Sequence, residues 1–240
     1  MAGCIGFSEV TLHAGIIGAV PHPLDAVIFD MDGLLLDSER LYREGMRAAC
    51  ADRGLRMPDE MFLQMVGCSW PVSRGLLSDH FGGQFCTDTF RRDALAHYDR
   101  LDADGTPLRP GVAGILDHLR EAGIPRAVAT STGTERARTK LERAGILHFF
   151  GTVVGSDDVR RQKPDPEPYL LAAERLGVRP AYCVALEDSH NGVRAAAAAG
   201  MATIMVPDLL PPTDETDRLC VATLASLDHV VDLLIASARS

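Results

Sequence analysis

The chain has no apolar run long enough to cross a bilayer. Its earliest one, Ile16-Ile17-Gly18-Ala19-Val20, is far shorter than the ~20 residues a spanning helix needs. It has no basic run, and its formal net charge is −9, so neither nucleic acid nor an acidic membrane is expected as a partner. The six cysteines (Cys4, Cys50, Cys68, Cys86, Cys183, Cys220) form no CxxC pair, which removes the usual zinc and disulfide signatures. Most of them read as small buried apolar residues in a reducing cytoplasm. None of the eight histidines has metal-ligand spacing, and Trp70 is the only tryptophan. Only two of the 24 basic side chains are lysine, Lys140 and Lys163. Where arginine is the default, a lysine stands out as placed for a reason.

What is present is ordinary in bulk: 240 residues, 46% hydrophobic and 24% charged, enough to bury one large core or two smaller ones. Residues 1–23 contain no Lys or Arg, unlike the cationic start of a secretory signal. They read as a loosely ordered extension, or as the product of a start codon placed too early. The first convincing strand is Val27-Ile28-Phe29. From Glu39 the period becomes helical, with Leu41, Met46, Ala49 and Cys50 near one face, then Met61–Leu63 and Phe90–Tyr98. No strong strand candidate falls between Ser38 and Gly105, so residues 39–105 read as a helical insertion. After it, strands are expected at Ala127–Ala129, Thr152–Val154, Cys183–Leu186 and Ala202–Val206. Helices are expected at Val112–Ala122, Glu135–Ala144, Pro166–Leu176, Val193–Ala199 and Leu227–Ala236. Gly123, Gly145, Gly177 and Gly200 stand where helix ends require a C-cap. Such alternation implies an α/β fold with a doubly wound, mostly parallel sheet: a core of residues 24–38 and 106–240 carrying the helical insert.

In these sheets the ligand crevice lies outside the carboxyl ends of the strands. Asp30, Thr130 and Asp188 each stand at such an end, and Asp32 follows Asp30 by two residues. Carboxylates gathered at buried strand ends are costly unless a cation sits among them. Mg²⁺ suits such a cluster, with Asp30 and Asp188 as ligands and Glu187 as a third or as their support. Phosphoryl transfer needs a further cation and a neutral donor. Lys163, stiffened by Pro164 and Pro166, fits the first, and Thr130 with the Ser131 backbone N–H fits the second.

DMDGLLLDS at Asp30–Ser38, the strand ending in Thr130, Lys163-Pro164 and Glu187-Asp188-Ser189 occur in an order that resembles the haloacid dehalogenase superfamily. The type is the one with a Rossmann-like core and an all-helical cap inserted after the first strand, and the resemblance runs over about residues 25–236. It implies that Asp30 is the nucleophile and Asp32 the acid and base, its carbonyl joining Asp30 and Asp188 on Mg²⁺. It also implies that Thr130 and Ser131 hold phosphoryl oxygens, that Lys163 neutralises charge, and that Asn191 supports the lysine or the substrate.

Asp32 is absent from the family's dehalogenases, and the cap lacks the lysine of its phosphonate hydrolases. Its β-phosphoglucomutases carry a cap histidine and arginine where this chain has Tyr42 and Trp70. Hydrolysis of a small phosphomonoester, a sugar phosphate or a nucleoside-type monophosphate such as pseudouridine 5′-phosphate, is therefore expected. Sugar-phosphate mutase activity is the alternative, and an inactive phosphate-binding module a more remote one. Expected cap contacts to the substrate are Glu39, Tyr42, Cys68, Ser69, Trp70 and Arg74. A monomer or weak homodimer is expected. Among smaller features, Asp157 and Asp158 read as a solvated turn, His190 as a solvent-facing helix start, Ala195–Ala199 as a packing face and Asp208–Asp217 as a surface loop.

Overall fold

The computed structural model describes residues 10–12 and 20–238. Its centre is β2 (Ala26–Phe29), whose four residues are all buried. Side chains alternate across a strand, and the burial follows. Val27 and Phe29 join one apolar cluster, and Ala26 and Ile28 join another on the opposite face. The remaining strands are β1 (Val10–Leu12), β3 (Arg126–Ala129), β4 (Thr152–Val154), β5 (Cys183–Glu187), β6 (Ala202–Met205) and β7 (Ala222–Leu224). They form one sheet in the order β1-β7-β6-β5-β2-β3-β4, parallel except for β1, which pairs antiparallel with β7 at the edge. Of the leading segment, Val10–Leu12 is thus an edge strand rather than loose chain. The apolar run at residues 16–19 lies outside the described residues.

The first cluster is covered by α5 (Val112–Glu121), α6 (Thr134–Arg143) and α10 (Leu227–Ala238), and the second by α7 (Glu167–Leu176) and α8 (His190–Ala198). Strand order reverses direction beside β2, whose neighbours are β5 and β3. The register pairs Phe29 with Leu186 on one side and Val128 on the other. Positions 30, 130 and 188 therefore emerge together at the switch point, where such sheets bind ligands.

Between β2 and β3 the chain forms α1 (Ser38–Ala51), α2 (Asp59–Met65), α3 (Trp70–Phe81) and α4 (Thr87–Leu101). These helices enclose an apolar cluster of their own, built on Met46, Phe62, Leu77 and Phe90. Gly45 lets α1 and α4 approach closely, since a Cβ there would lie 2.7 Å from the Ala94 carbonyl oxygen. The two connections to the sheet run side by side: Leu36 bridges antiparallel to Leu108, and the Asp37 N–H donates to the Pro107 carbonyl at 2.9 Å.

Some elements differ from the sequence expectation. Helix α8 begins at His190 rather than Val193 because Ser189 caps it, its Oγ accepting from the Gly192 N–H at 3.1 Å. The stretch 208–217 is only partly loop. Thr213 and Thr216 form a reciprocal capping box that starts α9 (Asp214–Leu219). Helix α3, with Pro71 near its start and only Ser73 and Leu77 buried, shows little periodicity to read. No helix among the described residues is long and apolar enough to cross a membrane.

Candidate active site

Asp30 leaves β2 with its N–H donating to the Leu186 carbonyl at 2.9 Å, and its carboxylate is buried. A tight turn follows, in which the Gly33 N–H donates to the Leu36 carbonyl at 2.9 Å. Gly33 has φ +87°, and a Cβ there would collide with Asp188 Oδ2. Only glycine allows this turn to lie against the end of β5.

Lys163 reaches the same point from 133 residues along the chain. Its Nζ donates to Asp30 Oδ1 at 2.6 Å and to Glu187 Oε1 at 2.5 Å, and all three groups are buried. Its two acidic partners outweigh the burial that opposes its charge, and hold the amine above its ordinary pKa. Glu187 also accepts from the Tyr169 hydroxyl at 2.8 Å, the Asp188 and Ser189 N–H groups at 3.0 and 3.1 Å and Ser189 Oγ at 3.0 Å. Five donors fill the lone pairs of one carboxylate. Glu187 is therefore the anchor of Lys163 rather than a free metal ligand, although it lies close enough to be counted with one. Helix α8 seals it from behind, since Gly192 packs where any Cβ would strike the Glu187 carboxylate.

Asp188 is the opposite case. It is 3% exposed, and its carboxylate accepts no hydrogen bond and forms no ion pair among the described residues. Burial pushes its pKa well above the ordinary range, and the charges of Asp30 and Glu187 push it further. Asp30 is pushed up to about 7, mainly by burial, with Lys163 working the other way. Ligand oxygens of Asp30, Glu187 and Asp188 lie within 4.8 Å of one another. A buried acid with no donor, facing a second acid, is the environment a divalent cation relieves. On the chemistry of its donors, the site fits Mg²⁺.

Asp32 is clamped differently. Ser38 Oγ donates to its Oδ1 at 2.6 Å, Thr132 Oγ1 to its Oδ2 at 2.7 Å, and Thr130 Oγ1 stands 3.5 Å from Oδ2. The amine of Lys140, from α6, donates to Oδ1. Burial would raise the Asp32 pKa, but the Lys140 charge and these hydrogen bonds hold it below its ordinary value.

These groups open into one cavity of about 430 Å³ between the sheet end and the inserted helices. Asp30, Asp32, Thr130, Ser131, Lys163 and Asp188 line its floor. Glu39, Tyr42, Cys68 and Trp70 line its roof, as does Arg91, whose guanidinium stacks 4.6 Å from the Trp70 ring centroid. Glu39 is pushed up to about 8, first by burial and then by the charge of Asp32.

Three expected substrate contacts do not line the cavity. Arg74 projects into solvent from α3, one position past the inward-facing Ser73. Ser69 directly precedes that helix and is not among the residues around the cavity. Asn191 is used to hold the roof, its Nδ2 donating to the Gly67 carbonyl at 3.2 Å. Asp157 and Asp158 are tied up by Thr134 and Arg175 in a structural turn, and His190 faces the Pro211 carbonyl at 2.7 Å. Sequence reasoning missed Lys140, Thr132, Arg91 and Tyr98. For Lys140 alone a signal existed, the scarcity of lysine.

The haloacid dehalogenase-like hydrolase family model matches residues 24–200. The chain is 34% identical over 181 residues to the "Phosphorylated carbohydrates phosphatase" of Thermotoga maritima, covering 75% of this chain and 84% of that protein. It is 35% identical over 206 residues to the "Probable pseudouridine-5'-phosphatase" of Drosophila melanogaster, covering 83% and 88%. A crystal structure of a HAD family hydrolase from Deinococcus radiodurans, with bound phosphate and sodium, superposes with a TM-score of 0.72 at 28% identity, covering 91% of this chain and 98% of that one. Those matches span both the strand ends and the inserted helices around the cavity, and the chain belongs to the haloacid dehalogenase-like hydrolase family.

Proposed function

We propose that the protein is a Mg²⁺-dependent phosphatase that hydrolyses a small phosphomonoester, a sugar phosphate or nucleoside-type monophosphate, through an aspartyl-phosphate. The observation that carries this reading is the meeting of Asp30 and Asp188, from two strand ends, with Lys163, from the loop between β4 and α7, on the floor of one cavity. The names of the relatives, phosphatases of small phosphorylated metabolites, support the substrate class.

In this reading the Asp30 carboxylate attacks phosphorus and displaces the alcohol. Asp32, in its protonated form, gives the leaving oxygen its proton, and the carboxylate so formed then takes one from the water that hydrolyses the intermediate. Thr130 and the Ser131 N–H receive phosphoryl oxygens, and Lys163 balances charge between Asp30 and the phosphate. Bound Mg²⁺, held by Asp30, Asp188 and the Asp32 carbonyl, would neutralise the acids and draw electron density from the phosphoryl group. Residues 39–105 act as a cap whose Glu39, Tyr42 and Trp70 face the leaving group, on a core of residues 24–38 and 106–240.

A phosphate-release assay over a panel of phosphorylated metabolites, with and without Mg²⁺, tests this. Release of phosphate from sugar or nucleoside-type monophosphates only with the metal is expected. No release from any phosphomonoester at high enzyme and Mg²⁺ would overturn it. Conversion of a sugar 1-phosphate to its 6-phosphate without release would mark a mutase instead.

A further inference from the structure

Among the buried charges of the described residues, Lys140 has no part in the mechanism above. It is 7% exposed, and its amine donates to Asp32, the group assigned as acid and base. A buried ammonium is costly without a partner, and Asp32 is its only ion pair among the described residues. The second face of the amine is covered by the Tyr98 ring, 5.1 Å from Nζ to the centroid. Tyr98 belongs to α4 of the inserted helices, so the two sides of the cavity meet at this amine.

The contact is built rather than incidental. One turn earlier on α6, Arg136 lies over the same ring at 5.2 Å and pairs with Asp99 at 2.6 Å. The Tyr98 hydroxyl lies 3.0 Å from Thr106 Oγ1, which donates to Asp102. Arg143, one position short of a full turn further along α6, pairs with that same Asp102 at 3.5 Å. The seam between α4 and α6 thus fixes where Tyr98 sits, and Tyr98 fixes where the Lys140 amine sits. Asp32 has its other close donors, Ser38 and Thr132, on two further segments. Without Lys140 its carboxylate would still be bonded but free to swing about those two.

We infer that Lys140 is a positioning residue for Asp32: its amine, set in place by Tyr98, orients the carboxylate toward the leaving oxygen. This rests on Asp32 acting as the acid of a phosphatase. A compact ammonium on a flexible stem can point along one Asp32 oxygen, whereas a guanidinium would impose its own fork.

The test compares kcat/KM, which reports the steps through departure of the leaving group, for two esters. One is p-nitrophenyl phosphate, whose leaving group needs no proton, and the other is the alkyl phosphomonoester turned over best in the panel. Lys140→Met should lower kcat/KM for the alkyl ester about tenfold or more beyond any loss on the nitrophenyl ester, with KM little changed. Lys140→Arg should restore part of the difference. Lys140→Gln, which keeps a donor, carries the comparison if the Met variant does not fold, as judged by circular dichroism. Equal losses on both esters, or no loss on the alkyl ester, would overturn the inference. A gain on the alkyl ester would also do so, because it would mean that Lys140 only keeps Asp32 ionised. If wild type hydrolyses neither ester, or Asp30→Asn remains active on both, the phosphatase reading itself has failed and takes this inference with it.

Discussion

At the scale of the residue, the site is a balance of buried charge, and two substitutions probe it. Lys163 is the only cation among the described residues paired with both Asp30 and Glu187. Lys163→Met leaves two buried carboxylates without it, so it should abolish turnover and also lower stability by about 3–5 kcal/mol, read from urea midpoints. Glu39 gives a pH signature of definite sign. Its folded pKa of about 8 lies above the ordinary 4.5, so between those values the folded state holds more protons than the unfolded one. Stability from this residue is full below 4.5 and is lost as pH rises toward 8. Glu39→Gln should therefore raise the melting temperature above pH 8, by the equivalent of about 1–2 kcal/mol after allowing for solvent at the cavity, and the gain should vanish near pH 4.5. Thermal unfolding across pH in a chelating buffer measures it, and a gap independent of pH would refute it.

At the scale of the element, the loop between α2 and α3 joins the roof to the floor through Gly67. Its φ is +68°, and a Cβ there would lie 2.7 Å from Ser189 Cβ and 2.9 Å from its Oγ. Gly67→Ala should push this loop off the start of α8, at a backbone cost of about 1–2 kcal/mol. Substrate KM should rise about tenfold with the core fold intact, as steady-state kinetics and circular dichroism would show. Elements were legible wherever local chemistry sets them. Val27–Phe29 read as a strand because β-branched and aromatic residues crowd there. The helices ending at Gly123, Gly145, Gly177 and Gly200 read as such, and all four glycines adopt positive φ. What stayed hidden depends on distant partners or on weak patterns. Val10–Leu12 and Ala222–Leu224 are strands of three residues that become visible only through pairing with distant segments, with each other and, for the second, with β6. The start of α9 sits behind prolines and depends on two threonine side chains. Asp30, Asp32, Lys163 and Asp188 could be read together because the strand order carries them to one edge. Lys140 could not be placed, since the face of α6 that carries it is set by the packing of Ala137 and Leu141 against the sheet.

At the scale of the whole molecule, one uncompensated group, Asp188, couples folding to a cation. Any ion bound to the folded state alone stabilises it by mass action, about 2.7 kcal/mol at a hundredfold excess over Kd. At about 2–4 °C per kcal/mol for a chain of this size, Mg²⁺ at that excess should raise the melting temperature by about 5–10 °C, and the rise should continue with the logarithm of its concentration. Asp188→Asn should remove that rise while keeping the fold. A rise of the same size in the variant would place the ion elsewhere.

The central claim is that Asp30 carries the phosphoryl group during turnover. The direct measurement is to mix enzyme, Mg²⁺ and the best substrate of the panel, quench rapidly, reduce with borohydride and map the peptides by mass spectrometry. An acyl phosphate at Asp30 is reduced to homoserine, so residue 30 should be found converted only when substrate and metal are both present. Phosphate released at full rate with Asp30 unmodified, or with another residue trapped in its place, would contradict the account.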